Sequence, residues 1–249
     1  VEQEIQAALE EAAGMRWPMK TCAVVPCYNV GSLCVPVIEQ TQKYVDRVIA
    51  IDDGSTDDTA SHLAATAAEI LTHKKNAGKG AALLTAFRHI LTEPQCKDYQ
   101  LIITIDGDGQ HNPEEIDALL NKCSADPNCI VVGTREVNRP DIALRRRLGN
   151  ILSRYFISKV CGQYIPDTQS GFRVFPRELL RKILPRLQPG RYEMETAFLI
   201  LAARAGYKIV SHEISTIYTE DSNRVSSFNP YLDTYLVFKV VLKSILFGR

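Results

Sequence analysis

Leu101-Ile102-Ile103-Thr104-Ile105-Asp106-Gly107-Asp108-Gly109-Gln110-His111 decides the fold class of this chain. An apolar run of strand length ends in two carboxylates two residues apart, with glycines beside them that keep the backbone open. Along an extended chain, residues i and i+2 point to the same side, so Asp106 and Asp108 can share one divalent cation. Two carboxylates make an incomplete shell. Mg²⁺ or Mn²⁺ held this way completes its octahedron with waters and phosphate oxygens, so a phosphorylated substrate is the expected third party. The plainer reading is an acidic turn after a strand, where Asp and Gly are common.

The stretches around it repeat the pattern. Thr21-Cys22-Ala23-Val24-Val25-Pro26 runs into Cys27-Tyr28-Asn29-Val30-Gly31, and a helix-like segment follows to about Tyr44. Arg47-Val48-Ile49-Ala50-Ile51 ends in Asp52-Asp53-Gly54-Ser55-Thr56-Asp57-Asp58-Thr59. Ser55 or Thr56 is expected to cap a helix through about Ala68, with Asp57 and Asp58 in its positive first turn. Glu69-Ile70-Leu71-Thr72 leads to His73-Lys74-Lys75-Asn76-Ala77-Gly78-Lys79-Gly80 and a helix from Ala81 to about Leu91. Glycines before a helix let backbone N–H groups approach an anion, and Lys79 adds positive charge. No glycine stands at position 73, and Gly80 follows Lys79 where a P-loop needs Ser or Thr, which excludes that motif. A further buried strand is Cys129–Gly133. Alternating β and α elements through residue 133 predict an α/β fold with a doubly wound, mainly parallel sheet, its polar strand ends gathered on the ligand-binding edge.

The second half changes character. Arg135, Arg139, Arg145, Arg146 and Arg147 lead into an amphipathic helix, about Ala143 to Val160, and read either as a solvated face or as a phosphate-binding rim. Asp167-Thr168-Gln169-Ser170-Gly171-Phe172-Arg173 forms a polar loop richer in chemistry than a connector requires. Gly190-Arg191-Tyr192-Glu193-Met194-Glu195 enters an apolar helix, Thr196 to Ala205. Lys208–His212 and Ile214–Tyr218 are predicted as two strands added in antiparallel fashion or at an edge. The tail from Tyr231 to Phe247 is aromatic and apolar, with Lys239 and Lys243 one turn apart; it reads as a helix that packs on the core or inserts into a membrane interface.

The 249 residues suit one large α/β domain. Lys plus Arg and Asp plus Glu both number 29, so no global field recruits nucleic acid. Seven cysteines, mostly in apolar runs such as those holding Cys22, Cys27, Cys129 and Cys161, read as reduced core residues. Val1 to Ala12 form an acidic helical pattern rather than a signal peptide, and no apolar segment reaches the ~20 residues of a membrane span. These features predict a cytoplasmic protein.

Four motifs stand in one order: Val25-Pro26-Cys27-Tyr28-Asn29, Asp52-Asp53-Gly54-Ser55-Thr56-Asp57, Asp106-Gly107-Asp108-Gly109-Gln110-His111 and Asp167-Thr168-Gln169-Ser170-Gly171-Phe172-Arg173. Over roughly residues 20 to 230 the chain resembles the inverting family 2 glycosyltransferases, particularly the branch of polyprenyl-phosphate (dolichyl-phosphate) mannosyl- and glucosyltransferases. The resemblance implies a GT-A (Rossmann-like) nucleotide-sugar fold, a UDP- or GDP-hexose donor and Mg²⁺ or Mn²⁺. By position, Pro26, Tyr28 and Asn29 would lie along the nucleoside, Asp53 would accept a hydrogen bond from the base, and Asp52 would support that loop. Lys79 and Gly107 would sit near the nucleotide. Asp108 would hold the metal, with Asp106 and Gln110 as further ligands or partners. Ser170, Arg173 and Arg145 would meet the acceptor's phosphate.

The domain then divides into a leading helix (1–19), a nucleotide-sugar-binding half (20–133), an acceptor-binding half (134–228) and a C-terminal amphipathic helix (229–249). A phosphate acceptor is already ionised and needs no strong base, whereas a hydroxyl of a glycan does; Asp167, Glu193 and Glu195 are the candidates for that base. Processive synthases of the family carry Gln-x-x-Arg-Trp, but the only tryptophan here is Trp17, so single-sugar transfer is expected. Where relatives carry Ser-His-Phe after the last strand, this chain has Ser226-Ser227-Phe228. A polyprenyl phosphate acceptor would place the protein at the inner face of the membrane, in peripheral contact through its C-terminal helix. The rival from another class is a non-catalytic nucleotide-sugar-binding module. A sugar-1-phosphate nucleotidyltransferase would need a Gly-rich, Arg-containing loop after the first strand, which Pro26-Cys27-Tyr28-Asn29 is not.

Overall fold

The computed structural model describes residues 19–135, 144–217 and 230–246. The leading helix, Arg139, the side chains of Arg145, Arg146 and Arg147, and Ser226-Ser227-Phe228 therefore lie outside the described residues. Within them the chain runs β1 (Thr21–Cys27), α1 (Cys34–Thr41), β2 (Arg47–Asp52), α2 (Thr59–Ala64), β3 (Glu69–Thr72), α3 (Lys79–Thr92) and β4 (Leu101–Thr104). It continues through α4 (Ile116–Ser124), β5 (Cys129–Thr134), α5 (Leu144–Cys161), β6 (Arg173–Pro176), α6 (Arg177–Ile183), α7 (Glu193–Arg204), β7 (Lys208–Glu213) and α8 (Pro230–Leu246).

The strands form one seven-stranded sheet in the order β3-β2-β1-β4-β6-β5-β7. β1 pairs parallel with β2 and β4, β2 with β3, and β5 with β7. β6 alone runs against its neighbours β4 and β5. The chain steps outward from β1 to β3, then returns to the far side of β1 as β4. That reversal opens a crevice beyond the carboxyl ends of β1 and β4, where open α/β sheets bind ligands. Cys27-Tyr28-Asn29 and Asp106 emerge there.

Both faces of the sheet are covered, which is why β1 and β4 read as continuous apolar runs. Alternation splits them: Cys22, Val24 and Ile102 pack with Phe87, Phe175 and Phe198 under α3 and α7, while Ala23, Val25 and Ile103 pack with Ile38, Leu63 and Leu119 under α1, α2 and α4. All seven cysteines are free and buried.

Three expectations change. Arg173, the last residue of the expected polar loop, opens a strand instead: the four residues of β6 close on Pro176, too short to show a period, and they become a strand because β4 and β5 pair with both edges. Ile214 onward makes no second strand among the described residues; Thr216 forms a single antiparallel bridge with His111, and the edge addition is β7, parallel to β5. The helix expected through Ala68 stops at Ala64.

Phe175 is 1% exposed, edge-on to Phe87 at 5.7 Å and 4.8 Å from Phe198. Phe175→Ala is expected to cost about 3–5 kcal/mol, read as a lower urea midpoint at unchanged slope; a loss below about 1 kcal/mol would mean that the neighbouring rings close the cavity.

Candidate active site

The β1 loop is held against the β2 loop by hydrogen bonds between side chains and backbone. Asn29 takes φ +51°, a left-handed conformation that asparagine tolerates better than most residues. Its N–H donates to Ser55 Oγ at 3.0 Å, and its Oδ1 accepts from the Thr56 N–H at 2.8 Å. Asp52 Oδ1 accepts from the Ser55 N–H at 2.9 Å. Ser55 is thus spent on the crevice rather than on a helix cap. α2 starts at Thr59, whose N–H donates to Asp57 Oδ1 at 3.0 Å, which corrects the capping expectation.

Asp53 builds the next loop. The carboxylate is 2% exposed. Its Oδ1 lies 2.6 Å from His73 Nδ1 and accepts from the Ala77 N–H at 3.0 Å, while its Oδ2 accepts from Asn76 Nδ2 at 3.0 Å and the Gly78 N–H at 2.8 Å. Two donors per oxygen tie Asp53 to the shape of residues 73–78. That loop delivers Gly78, at φ +97°, and then Lys79 as the first residue of α3.

Lys79 is the centre of the site. Its Nζ lies 2.8 Å from Asp106 Oδ1 and 3.1 Å from Glu195 Oε2. Burial opposes the ammonium charge, but the two carboxylates more than reverse this and hold its pKa above the ordinary lysine value. Burial likewise opposes ionisation of Asp106; Lys79 and then His111 overcome it and hold the carboxyl well below its usual range. His111 Nε2 stands 3.7 Å from Asp106 Oδ2, and its buried ring lies 5.5 Å from Phe172. Glycine at 171 leaves room for the Asp106 carboxylate, which a Cβ there would strike. Gly107 is buried for a similar reason: a Cβ would come within 2.6 Å of Cys27 Sγ, so it lets the ends of β1 and β4 meet.

Asp108 is half-buried, with Oδ1 accepting from the Gln110 N–H at 3.1 Å. Burial, and next the charge of Asp106, push its pKa up. A carboxylate pair with this mutual repulsion suits a divalent cation. Among the described residues no three His, Cys, Asp or Glu side chains converge to hold a metal by themselves. The donor set fits a metal whose remaining positions are filled by phosphate and water.

The residues expected at the acceptor are placed differently. Asp167 is gripped by Arg135, Nε to Oδ2 at 2.8 Å and a second guanidinium nitrogen to Oδ1 at 3.2 Å, and its Oδ1 also accepts the Gln169 and Ser170 N–H groups. Burial raises its pKa, but Arg135 and these N–H groups bring it below the usual value. Arg173, carried inside by β6, is 2% exposed and donates to the carbonyls of Ser170, Glu195 and Thr168. Ser170 is fully buried, its Oγ accepting from the Phe172 N–H at 3.3 Å. Ser170 and Arg173 therefore clamp the loop to α7 rather than facing an acceptor in this conformation. Glu193 Oε2 accepts from the Arg191 N–H at 3.0 Å. Pro26 and Tyr28 are half-buried at the crevice. The sequence assigns His111 no role of its own, although its position closing the Asp106 motif was the signal available; Arg135, grouped with a solvated face or phosphate-binding rim, instead pairs with Asp167.

The family described as Glycosyl transferase family 2 matches residues 22–184. The chain is similar to UDP-N-acetylglucosamine–dolichyl-phosphate N-acetylglucosaminyltransferase of Methanococcus voltae, 29% identical over 224 residues that cover 80% of this chain and 86% of that protein. It is similar to polyprenol monophosphomannose synthase of Mycolicibacterium smegmatis, 28% identical over 253 residues, with 94% and 91% covered. The crystal structure of glucosyl-3-phosphoglycerate synthase from Mycobacterium tuberculosis with Mn²⁺, uridine diphosphate and phosphoglyceric acid superposes with a TM-score of 0.69 at 22% identity, covering 94% of this chain and 80% of that one. The fold is GT-A.

Asp53→Ala removes the acceptor for four donors and is expected to weaken nucleotide-sugar binding at least about tenfold, or ~1.4 kcal/mol, by calorimetry, together with a lower Tm. A lower Tm at unchanged affinity would confine Asp53 to loop stability. The Asp167–Arg135 contribution should be fully present above the ordinary carboxyl value of 3.8 and fade as pH falls through the lower folded value, so the stability gap between wild type and Arg135→Ala should shrink in acid. A gap independent of pH would show that the pairing is not electrostatic.

Proposed function

We propose that this chain, which belongs to glycosyl transferase family 2, transfers one hexose from a UDP- or GDP-sugar to a polyprenyl phosphate with inversion at the anomeric carbon. The observation that carries the acceptor class is the state of the candidate bases. Asp167 is locked by Arg135, and Glu195 is buried against Lys79 with Arg173 4.0 Å away. A hydroxyl acceptor needs a carboxylate able to take a proton, whereas a phosphate monoester arrives ionised. Relatives named for transfer to dolichyl phosphate or polyprenol support the same reading.

Asp108 and Asp106, with Gln110, would hold Mg²⁺ or Mn²⁺, which when bound offsets charge on the departing diphosphate. The protein's own part is electrostatic and preorganised. Lys79 brings an ammonium to the start of α3, where the helix dipole is also positive. The Asp53-bound loop fixes that start, and Asn29, Ser55 and Asp52 fix the neighbouring wall for the nucleoside. His111 and Gly171 hold Asp106 in place. Arg173 acts as a positioning residue, tying the backbone of residues 168–170 to Glu195. A lipid-linked acceptor would be met at the inner face of a membrane, with peripheral contact through α8.

Asp108→Ala is expected to abolish transfer and the Mn²⁺-dependent part of nucleotide binding while leaving Tm unchanged or higher; equal nucleotide affinity with and without Mn²⁺ in the wild type would refute the metal assignment. Radiolabelled donor offered with polyprenyl phosphate in one tube and with a glycan hydroxyl in another tests the acceptor. Label in the second tube alone would move Glu193, the remaining candidate base, into a general-base role.

A further inference from the structure

Beyond β7, residues 214–217 cross from the end of β5 to the loop that follows β4, and each is tied to a different partner on the way. Ile214 is buried against Gly133, and its N–H donates to Thr134 O at 3.0 Å. Ser215 donates twice to one carboxylate oxygen of Glu115, from its N–H at 2.8 Å and from its hydroxyl at 3.0 Å. Thr216 makes its antiparallel bridge with His111, and the Ile217 N–H donates to Gln110 O at 2.9 Å.

The last two ties fall on the turn that carries Asp108. Gln110 is held on both sides of its backbone: its carbonyl accepts from Ile217, while its N–H donates to Asp108 Oδ1 at 3.1 Å. His111, in turn, stands 3.7 Å from Asp106 Oδ2. A single bridge is far too short a ladder to hold two segments together by itself. The Glu115 carboxylate supplies what the ladder lacks, since an ionised acceptor makes stronger hydrogen bonds to N–H and O–H than a neutral one. Glu115 is not spent on its own helical turn, where Asn112 Oδ1 accepts the Glu114 N–H at 3.1 Å. It stands immediately before α4, and near the other end of that helix Lys122 Nζ donates to Ser211 O at 2.7 Å. α4 therefore grips the β7 chain at both of its ends.

We propose that residues 214–217 act as a strap that fixes the Asp108–Gln110 turn, and that Glu115 is the positioning residue that holds the strap. The use of that turn by a divalent cation rests on the functional reading above; the hold of the strap on the turn does not. Glu115 touches neither metal nor nucleotide in this account. It acts through Ser215, then through the peptide of Gln110, on the direction in which Asp108 presents its carboxylate.

Two measurements on the full chain test this: amide hydrogen exchange of the metal-free protein, and binding of UDP and GDP titrated with Mn²⁺. Glu115→Ala is expected to speed exchange at Ile217 and across residues 108–111, because it loosens one local unit and leaves the core alone. It should raise the Mn²⁺ concentration needed for half-maximal nucleotide binding about tenfold, the size of effect seen when a group that orients a metal ligand is lost, while binding without Mn²⁺ stays at the wild-type level. Glu115→Gln keeps an acceptor oxygen for Ser215 and should restore both readouts. Glu114→Ala removes the neighbouring exposed carboxylate and should match the wild type. Unchanged exchange and Mn²⁺ dependence in Glu115→Ala, even with a lower Tm, overturns the proposal. So does an equal loss of binding with and without Mn²⁺, which would reduce Glu115 to overall stability, and so does a Glu115→Gln as impaired as Glu115→Ala, which would assign the effect to charge. A wild type that binds nucleotide equally with and without Mn²⁺ removes the metal assignment instead, and faster Ile217 exchange in Glu115→Ala would then still support the strap.

Discussion

The buried ammonium of Lys79, shared between Asp106 and Glu195, is the contact on which the rest of the site depends. It joins three elements distant in sequence: the start of α3, the end of β4 and the first turn of α7. Each of the three charges would be costly to bury alone, since an isolated ion inside a protein loses its hydration without recompense. Together, and with Arg173 4.0 Å from Glu195, their charges offset one another. Asp108 stands beside this balanced group with its own carboxyl pushed up by burial and then by the charge of Asp106.

Around that centre, carboxylates serve mainly as architecture. Asp52, Asp53 and Asp167 each accept backbone N–H groups from the loop that follows or faces them, and each is nearly buried. Backbone donors in a buried loop have to be paired, and a carboxylate can pair several at once. Loops beyond strand ends are thereby given single shapes without extra secondary structure. The arrangement also separates two classes of acidic residue that look alike in sequence: those consumed by their own loop, and Asp108, which keeps a raised pKa beside a like charge.

The C-terminal helix takes part in this order. Through Asp233 and Arg191 it is joined to the Gly190 segment, which packs so closely on Gly78 and Gly80 that a Cβ on either glycine would meet it within 2.9 Å. Residues late in the chain thus help to set the turn that carries Lys79.

The amino-acid sequence by itself determined the α/β alternation, the parallel β1–β4 core and the clustering of Asn29, Asp52, Asp53, Lys79, Asp106 and Asp108 at one sheet edge. These follow from local signals, namely apolar runs of strand length, intervening helical segments and polar residues where a strand stops, and such signals act over a few residues. The tertiary structure decided what no local signal carries. β6 is a strand because β4 and β5 flank it, and Arg173 is buried because β6 is central. Asp53 was legible as important but not as a loop-builder, since its four donors come from residues 73 to 78. Asp167 and Glu195 each have a cationic partner, Arg135 and Lys79, that no local signal announces. A residue type and its spacing state what a side chain can do; its partners, brought from far along the chain by the packing of the sheet and its helices, decide which of those capacities is already spent.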